Sequence, residues 1–335
     1  IINKIMIATS TVQYALQLFV LCFLRNYYLY LVVLLVMQAA NNIVTAIVTM
    51  KMFPEYKPGS KLQHEMVSKI NKRIRDLFTA KVGGVVVNSV DTIVISAFLG
   101  LKMLAIYQNY FYILNAVVGF ITVIFSACTA GIGNSLIIES KEKNFNDLKK
   151  FTFIISWISG FCTCCFLSLF QPFMRLWVGD SLMLGYAAVI CFSIYFFTLE
   201  INSLLNLYKD AAGIWHKDRF RPLITAMTNL CMNLIMVQFW GIYGIILSTV
   251  LSMLIVGIPW ILNNLFSTLF ERRYLKSYLK ILFFYVLISA SVCCVTTLLC
   301  SVINYSEIIT LLIRAVICCI LPNLLFLAIL LTLQY

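Results

Sequence analysis

One carboxylate stands deep inside a long apolar run: Asp91, in DLFTAKVGGVVVNSVDTIVISAFLG. On a helix turning about 100° per residue, Lys81, Gly84, Asn88 and Asp91 fall within a stripe about 80° wide. Ionisable groups at such depth are costly, and by default they mark ion or proton sites. The structural alternative is an aspartate held by hydrogen bonds. Lys81 lies about 7 Å from the polar end of its run, so its long side chain can snorkel back to water. Asp91 has no such reach. The two residues are about 15 Å apart along the axis, too far to pair directly.

Further polar residues recur at helical spacing. Asn115, Gly119, Thr122, Ser126 and Thr129 share one face of the next run. That face reads either as a small-residue packing seam or as a cavity wall. Asn229 and Asn233 stand one turn apart, and Thr249 follows in the next run. Glu200 reads as a helix-end charge. The 12 cysteines all fall within apolar runs, away from His64 and His216. No cysteine–histidine set suits a structural zinc, so the thiols read as small packing residues. There is no glycine-rich phosphate loop, catalytic triad or paired-carboxylate motif. Nothing here points to an enzyme, and a chain without soluble domains has nowhere to bind ATP.

These residues must be positioned by helices in lipid. Hydrophobic residues make up 62% of the 335 and charged residues 11%, with a mean hydropathy of +0.95. A soluble domain carries about 25% charged residues. With lipid as solvent, the backbone must satisfy itself in helices or a closed barrel. The runs are continuous and about twenty residues long, the length that crosses ~30 Å of hydrocarbon, and they do not alternate as barrel strands do. The fold class is therefore all-α: a polytopic bundle of about ten transmembrane helices at roughly 5–24, 28–50, 77–99, 104–137, 151–171, 182–204, 222–239, 241–262, 281–303 and 309–333. The run at 104–137 exceeds one span, so part of it is expected to project from the membrane, with bends at Gly119, Gly131 or Gly133. Ile1 is not a methionine and no charged segment precedes an apolar one, so the start is no signal peptide.

Charge sets the orientation. The loops 51–76, 139–150, 205–221 and 263–280, with Lys4, hold 20 of the 25 Lys and Arg. By the positive-inside rule this face and the C-terminus are cytoplasmic. The net charge of +12 then needs no nucleic acid, and attraction to anionic membrane lipid is a side effect. Residues 51–76 open with Pro54 and Pro58–Gly59, a turn signal. They continue as a basic amphipathic helix, with Met66, Ile70, Ile74 and Leu77 on one stripe, which reads as lying on the membrane surface. The plan is two spans (1–50), a linker (51–76), six spans (77–262), a second linker (263–280) and a final pair (281–335).

Several segments, in this order, resemble bacterial polysaccharide or O-antigen flippases of the multidrug/oligosaccharidyl-lipid/polysaccharide exporter superfamily. KVGGVVVNSVDTIVISAFLGLKMLAIYQNYFYILNAVVGFI is similar to that family's seventh and eighth helices. NYYLYLVVLLVMQAANNIVTAIVTMKMFPEYKP resembles the sixth helix and its linker, QPFMRLWVGD the outer loop after the ninth, AAGIWHKDRFRP the loop after the tenth, and WGIYGIILSTVLS the twelfth. The likeness spans nearly the whole chain. It implies two six-helix lobes around a cavity that opens alternately to each side, with the first four helices of the N-terminal lobe missing. It implies a lipid-linked oligosaccharide on undecaprenyl pyrophosphate as substrate, in lipopolysaccharide or other polysaccharide biosynthesis at the cell membrane. Polysaccharide polymerase machinery is a further partner the likeness admits. Lys81, Asn88, Asn115, Thr122 and Ser126 are the residues that would line the substrate cavity, with Lys81 attracting the pyrophosphate.

A narrower likeness concerns coupling. In the lipid II flippase branch, a sodium site uses an Asp, then an Asn and a carboxylate four apart, then a Thr sixteen further on. Asp91, Asn229, Asn233 and Thr249 stand at that spacing, with Asn233 where the pattern has a carboxylate. Hard cations do accept mixed carboxylate, amide and hydroxyl oxygens. The lost charge weakens sodium binding and leaves proton coupling, or none, open; no other cofactor is implied. Two alternatives stand beside the flippase reading. One is a cation-driven multidrug or toxin exporter of the same superfamily. The other is a membrane glycosyltransferase or polysaccharide polymerase, which the short external loops, with Asp180 and Glu307 their only acids, argue against.

Overall fold

Runs of about twenty apolar residues leave the backbone no partner but itself in lipid, and the chain is helical accordingly. The computed structural model describes residues 2–54, 63–303 and 305–332; the side chains of 2, 80, 87, 88 and 330–332 are not described. Among the described residues there is no strand, and eight helical stretches are long and apolar enough to cross a membrane. The chain divides into two compact units, residues 1–68 and 69–335.

The first unit is a helical pair. Helix α1 (Ile2–Phe19) ends in a π-helical turn, Val20–Leu24, and Arg25 takes a left-handed conformation. Asn26 then caps α2 (Tyr27–Met52) by accepting from the backbone N–H groups of Tyr28 and Leu29. Thr9 Oγ1 donates to Asn41 Oδ1 at 2.8 Å across the pair.

Two of the eight stretches exceed any single pass: residues 64–138 and 215–268. Both fold back at a glycine. Helix α3 (His64–Val94) and a π-helical turn (Ile95–Leu99) give way to α4 (Gly100–Ile138) at Gly100, whose φ of +84° disfavours any side chain. Gln108 Nε2 and Thr92 Oγ1, equally far from Gly100 along the chain, then lie 3.5 Å apart. Helix α8 (Arg221–Ser252) reverses at Gly241, φ +53°. Helix α4 is about 58 Å long, and its backbone stays helical at Gly119, Gly131 and Gly133. The helix is unbroken at these glycines, and its length exceeds the ~30 Å hydrocarbon core of a bilayer.

Helices α5 (Lys141–Val178) and α6 (Tyr186–Ala211) form the centre of the second unit. Lipid tails are as apolar as leucine, so helices associate here by close packing rather than by escape from water. Helix α5 presents a buried face of small residues, Ser156, Ser159, Gly160 and Thr163. Against it lie α10 (Arg273–Ser301) and α11 (Glu307–Thr332). A Cβ on Gly160 would sit 2.7 Å from the Phe326 ring and 3.2 Å from Ser289 Oγ. The final pair, α10 and α11, is thus packed against α5 as part of this unit.

The stretch 263–280 is no loose linker either. It holds the end of α9 (Ile258–Thr268) and the start of α10, and it buries Phe266, Phe270 and Tyr278, with Phe145 and Tyr208 against them. The basic segment before Leu77 likewise differs from a separate surface helix. It runs unbroken into the span as part of α3, with Met66, Ile70, Ile74 and Leu77 exposed. Pro58 and Gly59 lie outside the described residues.

Candidate functional site

The reversal at Gly241 makes the two limbs of α8 antiparallel. Residues 229 and 233, one turn apart, face 248 and 249 on the returning limb. Gly244 is what lets the limbs close: a Cβ there would lie 2.3 Å from the Met236 carbonyl oxygen. Asn229 Nδ2 donates to Thr249 Oγ1 at 2.8 Å, and Ser248 Oγ donates to Asn233 Oδ1. Asn229, Asn233, Ser248 and Thr249 are all buried.

Asp91 meets this cluster from the end of α3. Its Oδ1 accepts from Asn233 Nδ2 at 2.7 Å and its Oδ2 from Thr249 Oγ1 at 2.9 Å. Asn233 Nδ2 also reaches Asn229 Oδ1 at 3.3 Å. The donors form two converging chains that end on the carboxylate, one oxygen each. Bonds to an ionised acceptor are about twice as strong as neutral ones, and they offset part of the ~2.5–3.5 kcal/mol that a charge at this depth costs. The buried tyrosines Tyr107 (α4) and Tyr195 (α6) lie within electrostatic reach of Asp91.

The donor set is chemically fit for a hard cation, since it consists of carboxylate, amide and hydroxyl oxygens. Asp91, Asn229, Asn233 and Thr249 would hold such an ion. The Asn233 amide would have to present its oxygen where its nitrogen now faces Asp91. A single proton on Asp91 is the alternative counter-charge.

The four residues expected around a cation are thus in one place. The expected cavity residues are not. Asn115, Thr122 and Ser126 lie together on an exposed face of α4, and Gly119 has nothing within 4 Å of a Cβ. The packing-seam reading of that face fails within this unit. Thr122 and Ser126 return their hydroxyls to Val118 and Thr122 carbonyls at 2.8 Å, which satisfies them without a neighbour. The Asn115 side chain makes no hydrogen bond among the described residues. Lys81 lies elsewhere, lining a separate pocket with residues of α6 and α8. The side chain of Asn88 is outside the described residues.

Glu200 corrects another expectation. Helix α6 continues to Ala211, well past the apolar run, so Glu200 is no helix-end charge. It is 1% exposed, and its Oε1 has no partner among the described residues. The cysteines are free, with Cys164 Sγ and Cys293 Sγ 3.3 Å apart between α5 and α10. Among the described residues no group of three or more His, Cys, Asp or Glu is arranged for a metal.

The basic end of the unit holds a network that spacing alone does not announce. Asp76, at the start of the α3 span, accepts from Arg219 Nη1 at 2.8 Å and pairs with His216 Nδ1 at 2.7 Å. The Arg219 hydrogen bond, followed by that of His216, holds its carboxyl below the usual carboxylate range. Asp218 of the short helix α7 (Trp215–Asp218) takes Arg221 through both oxygens at 2.8 Å and Asn264 at 3.0 Å. The polar loop between α6 and α8 is in this way bolted to α3 and α9.

No protein-family model, curated protein or solved structure matches the chain. What the geometry supplies without any relative is one half-buried carboxylate in the last turn of α3, reached by two hydrogen-bond chains of an amide and a hydroxyl each from a single hairpin. Of these residues Ser248 is the one the spacing of polar residues left out. Its signal is its place beside Thr249, on the limb opposite Asn233.

Proposed function

We propose that the protein is a membrane transporter that moves lipid-linked oligosaccharide across the cytoplasmic membrane by alternating access, coupled to a cation or proton at Asp91. The observation that carries this reading is the hydrogen-bonded cluster of Asp91, Asn229, Asn233, Ser248 and Thr249. A carboxylate with four buried polar neighbours is expensive in a lipid-embedded bundle and adds no packing that Leu or Val would not. A second support is the polar face of α4. An exposed amide at Asn115, near the middle of a membrane helix, calls for water or a polar partner. A hydrated cavity along that face would carry a glycan while the lipid tail stays in the bilayer.

In this reading the two reversals at Gly100 and Gly241 bring the passes to ten, the basic end is cytoplasmic, and residues 69–335 form one lobe with its added pair. The decisive experiment is complementation. The full-length protein is expressed in a strain lacking its own O-antigen flippase, and surface polysaccharide is read on intact cells. Restored polysaccharide that is lost again with Asp91→Asn supports the proposal. Drug efflux without restored polysaccharide would replace it with the exporter reading.

A further inference from the structure

Between α3, α6 and the start of α8 the basic end of the larger unit contains a pocket of about 440 Å³ with both polar and apolar walls. That volume falls within the ~300–1,000 Å³ of ordinary small-molecule sites. Three cations line it: Lys81 from α3, Lys209 from α6 and Arg221 from α8. Lys209 and Arg221 are themselves more than nine-tenths buried, which is rare for such residues and requires partners. Asp210 lies 2.7 Å from Lys209 Nζ, and Asp218 holds Arg221 from behind while sitting 3.7 Å from Lys209. Trp215 lies under Lys209, 4.7 Å from Nζ to the ring centroid. Two acids against three cations leave one positive charge over. It belongs to Lys81, which has no ion pair among the described residues.

The pocket also holds an unmet acceptor. Asn206 takes Arg221 Nη2 at 2.7 Å and donates to the Asn202 backbone carbonyl at 2.8 Å. The side-chain Oδ1 of Asn202, on the same wall, is buried and has no hydrogen-bond partner among the described residues. A buried carbonyl oxygen needs a donor. The site therefore offers two things at once: an exposed Lys81 ammonium beside the buried cations, to which an anion can bind, and a buried Asn202 oxygen that can accept from a hydroxyl. An ammonium would meet repulsion from the three cations, whereas a hydroxyl would not.

We infer that this pocket binds the phosphate of a hydroxyl-bearing phosphoester, gripped between Lys81 and the Lys209–Arg221 pair with its hydroxyl on Asn202. Charge-assisted bonds to phosphate suit such a cluster. Two sources offer this chemistry: the headgroup of a glycerol-type phospholipid, and a soluble phosphate ester. The site is separate from Asp91 and shares no residue with it, so the inference stands without the transport reading.

Thermal unfolding of the full chain in detergent tests it. The probes are short-chain phosphatidylglycerol against phosphatidylcholine, and sn-glycerol 3-phosphate against glycerol. A saturable rise in Tm with a phosphoester, absent with phosphatidylcholine and glycerol, is expected. A response to the lipid alone identifies a headgroup site, and a response to the soluble ester identifies a solute site. Lys81→Gln should raise the apparent Kd about tenfold and Lys81→Arg should restore it. Asn202→Leu should remove the preference for glycerol phosphate over methyl phosphate. Lys276→Gln, a lysine outside the pocket, should change nothing. No response to any phosphoester, or the same Kd in wild type and Lys81→Gln, overturns the site. Binding is read without transport, so its failure leaves the complementation result untouched, and the reverse holds.

Discussion

Thr249 donates to Asp91 through Oγ1 at 2.9 Å while the same oxygen accepts from Asn229 at 2.8 Å. One hydroxyl therefore serves two buried polar groups. Thr249→Val keeps the shape and strands both partners. It should destabilise the protein by about 1–3 kcal/mol, the range for leaving buried donors and acceptors unmet. Thr249→Ser keeps the hydroxyl and should cost less than about 1 kcal/mol. Denaturation of both variants in one detergent would show it; equal losses would mean the methyl group, not the hydrogen bonds, matters there.

Coupling makes a different demand on the same cluster. Asp91→Asn should abolish ion-dependent transport while leaving insertion and expression intact. If sodium is the ion, added sodium should raise Tm in wild type, and the rise should vanish in Asp91→Asn and shrink in Asn229→Ala and Thr249→Ala. If a proton is the ion, sodium should have no effect and the transport rate should follow pH. Wild-type transport by Asp91→Asn, insensitive to both ions, would leave Asp91 a structural residue.

The α8 hairpin depends on Gly244, where an added Cβ would fall 2.3 Å from the Met236 carbonyl oxygen. Backbone cannot retreat as a flexible side chain can. Gly244→Ala should therefore cost about 1–3 kcal/mol or more as overpacking, and it should separate the limbs that carry Asn233 and Thr249. Gly119→Ala, with open space around its Cβ, serves as the neutral comparison. A Tm for Gly244→Ala matching that of Gly119→Ala would contradict the close approach.

At the basic end, Asp76 has its carboxyl held low by Arg219 and His216. A depressed folded pKa contributes stability that is complete above the unfolded carboxylate value and is lost as pH falls through the folded one. Asp76→Asn should lower Tm at neutral pH, and the gap to wild type should close below about pH 4. A gap that stays constant into acid would show that the ionised form plays no part.

The sequence alone was enough to locate the helices. Apolar runs of membrane length appear where α1, α2, α5, α6, α10 and α11 now stand, because lipid allows the backbone no other hydrogen bonds. The breaks near Gly100 and Gly241 were equally legible, and once α8 turns at 241, residues 233 and 249 must come level. That Asp91 should join them was implied by a likeness of spacing, not by composition. The reach of α6 beyond its apolar run, which leaves Glu200 mid-helix, was not legible, since a polar helical turn reads like a loop.

Only the tertiary structure decided which faces meet. Most sides of these helices are apolar, so hydrophobic periodicity alone cannot say which apolar side packs and which faces lipid. That choice falls to shape: Gly160 admitting Phe326, Gly244 admitting the second limb of α8. It falls also to pairs far apart in the chain, such as Asp76 with Arg219 and Lys81 with Arg221 across one pocket. Spacing along a helix orders polar residues within one face. The energy of burying them depends on partners that only packing supplies.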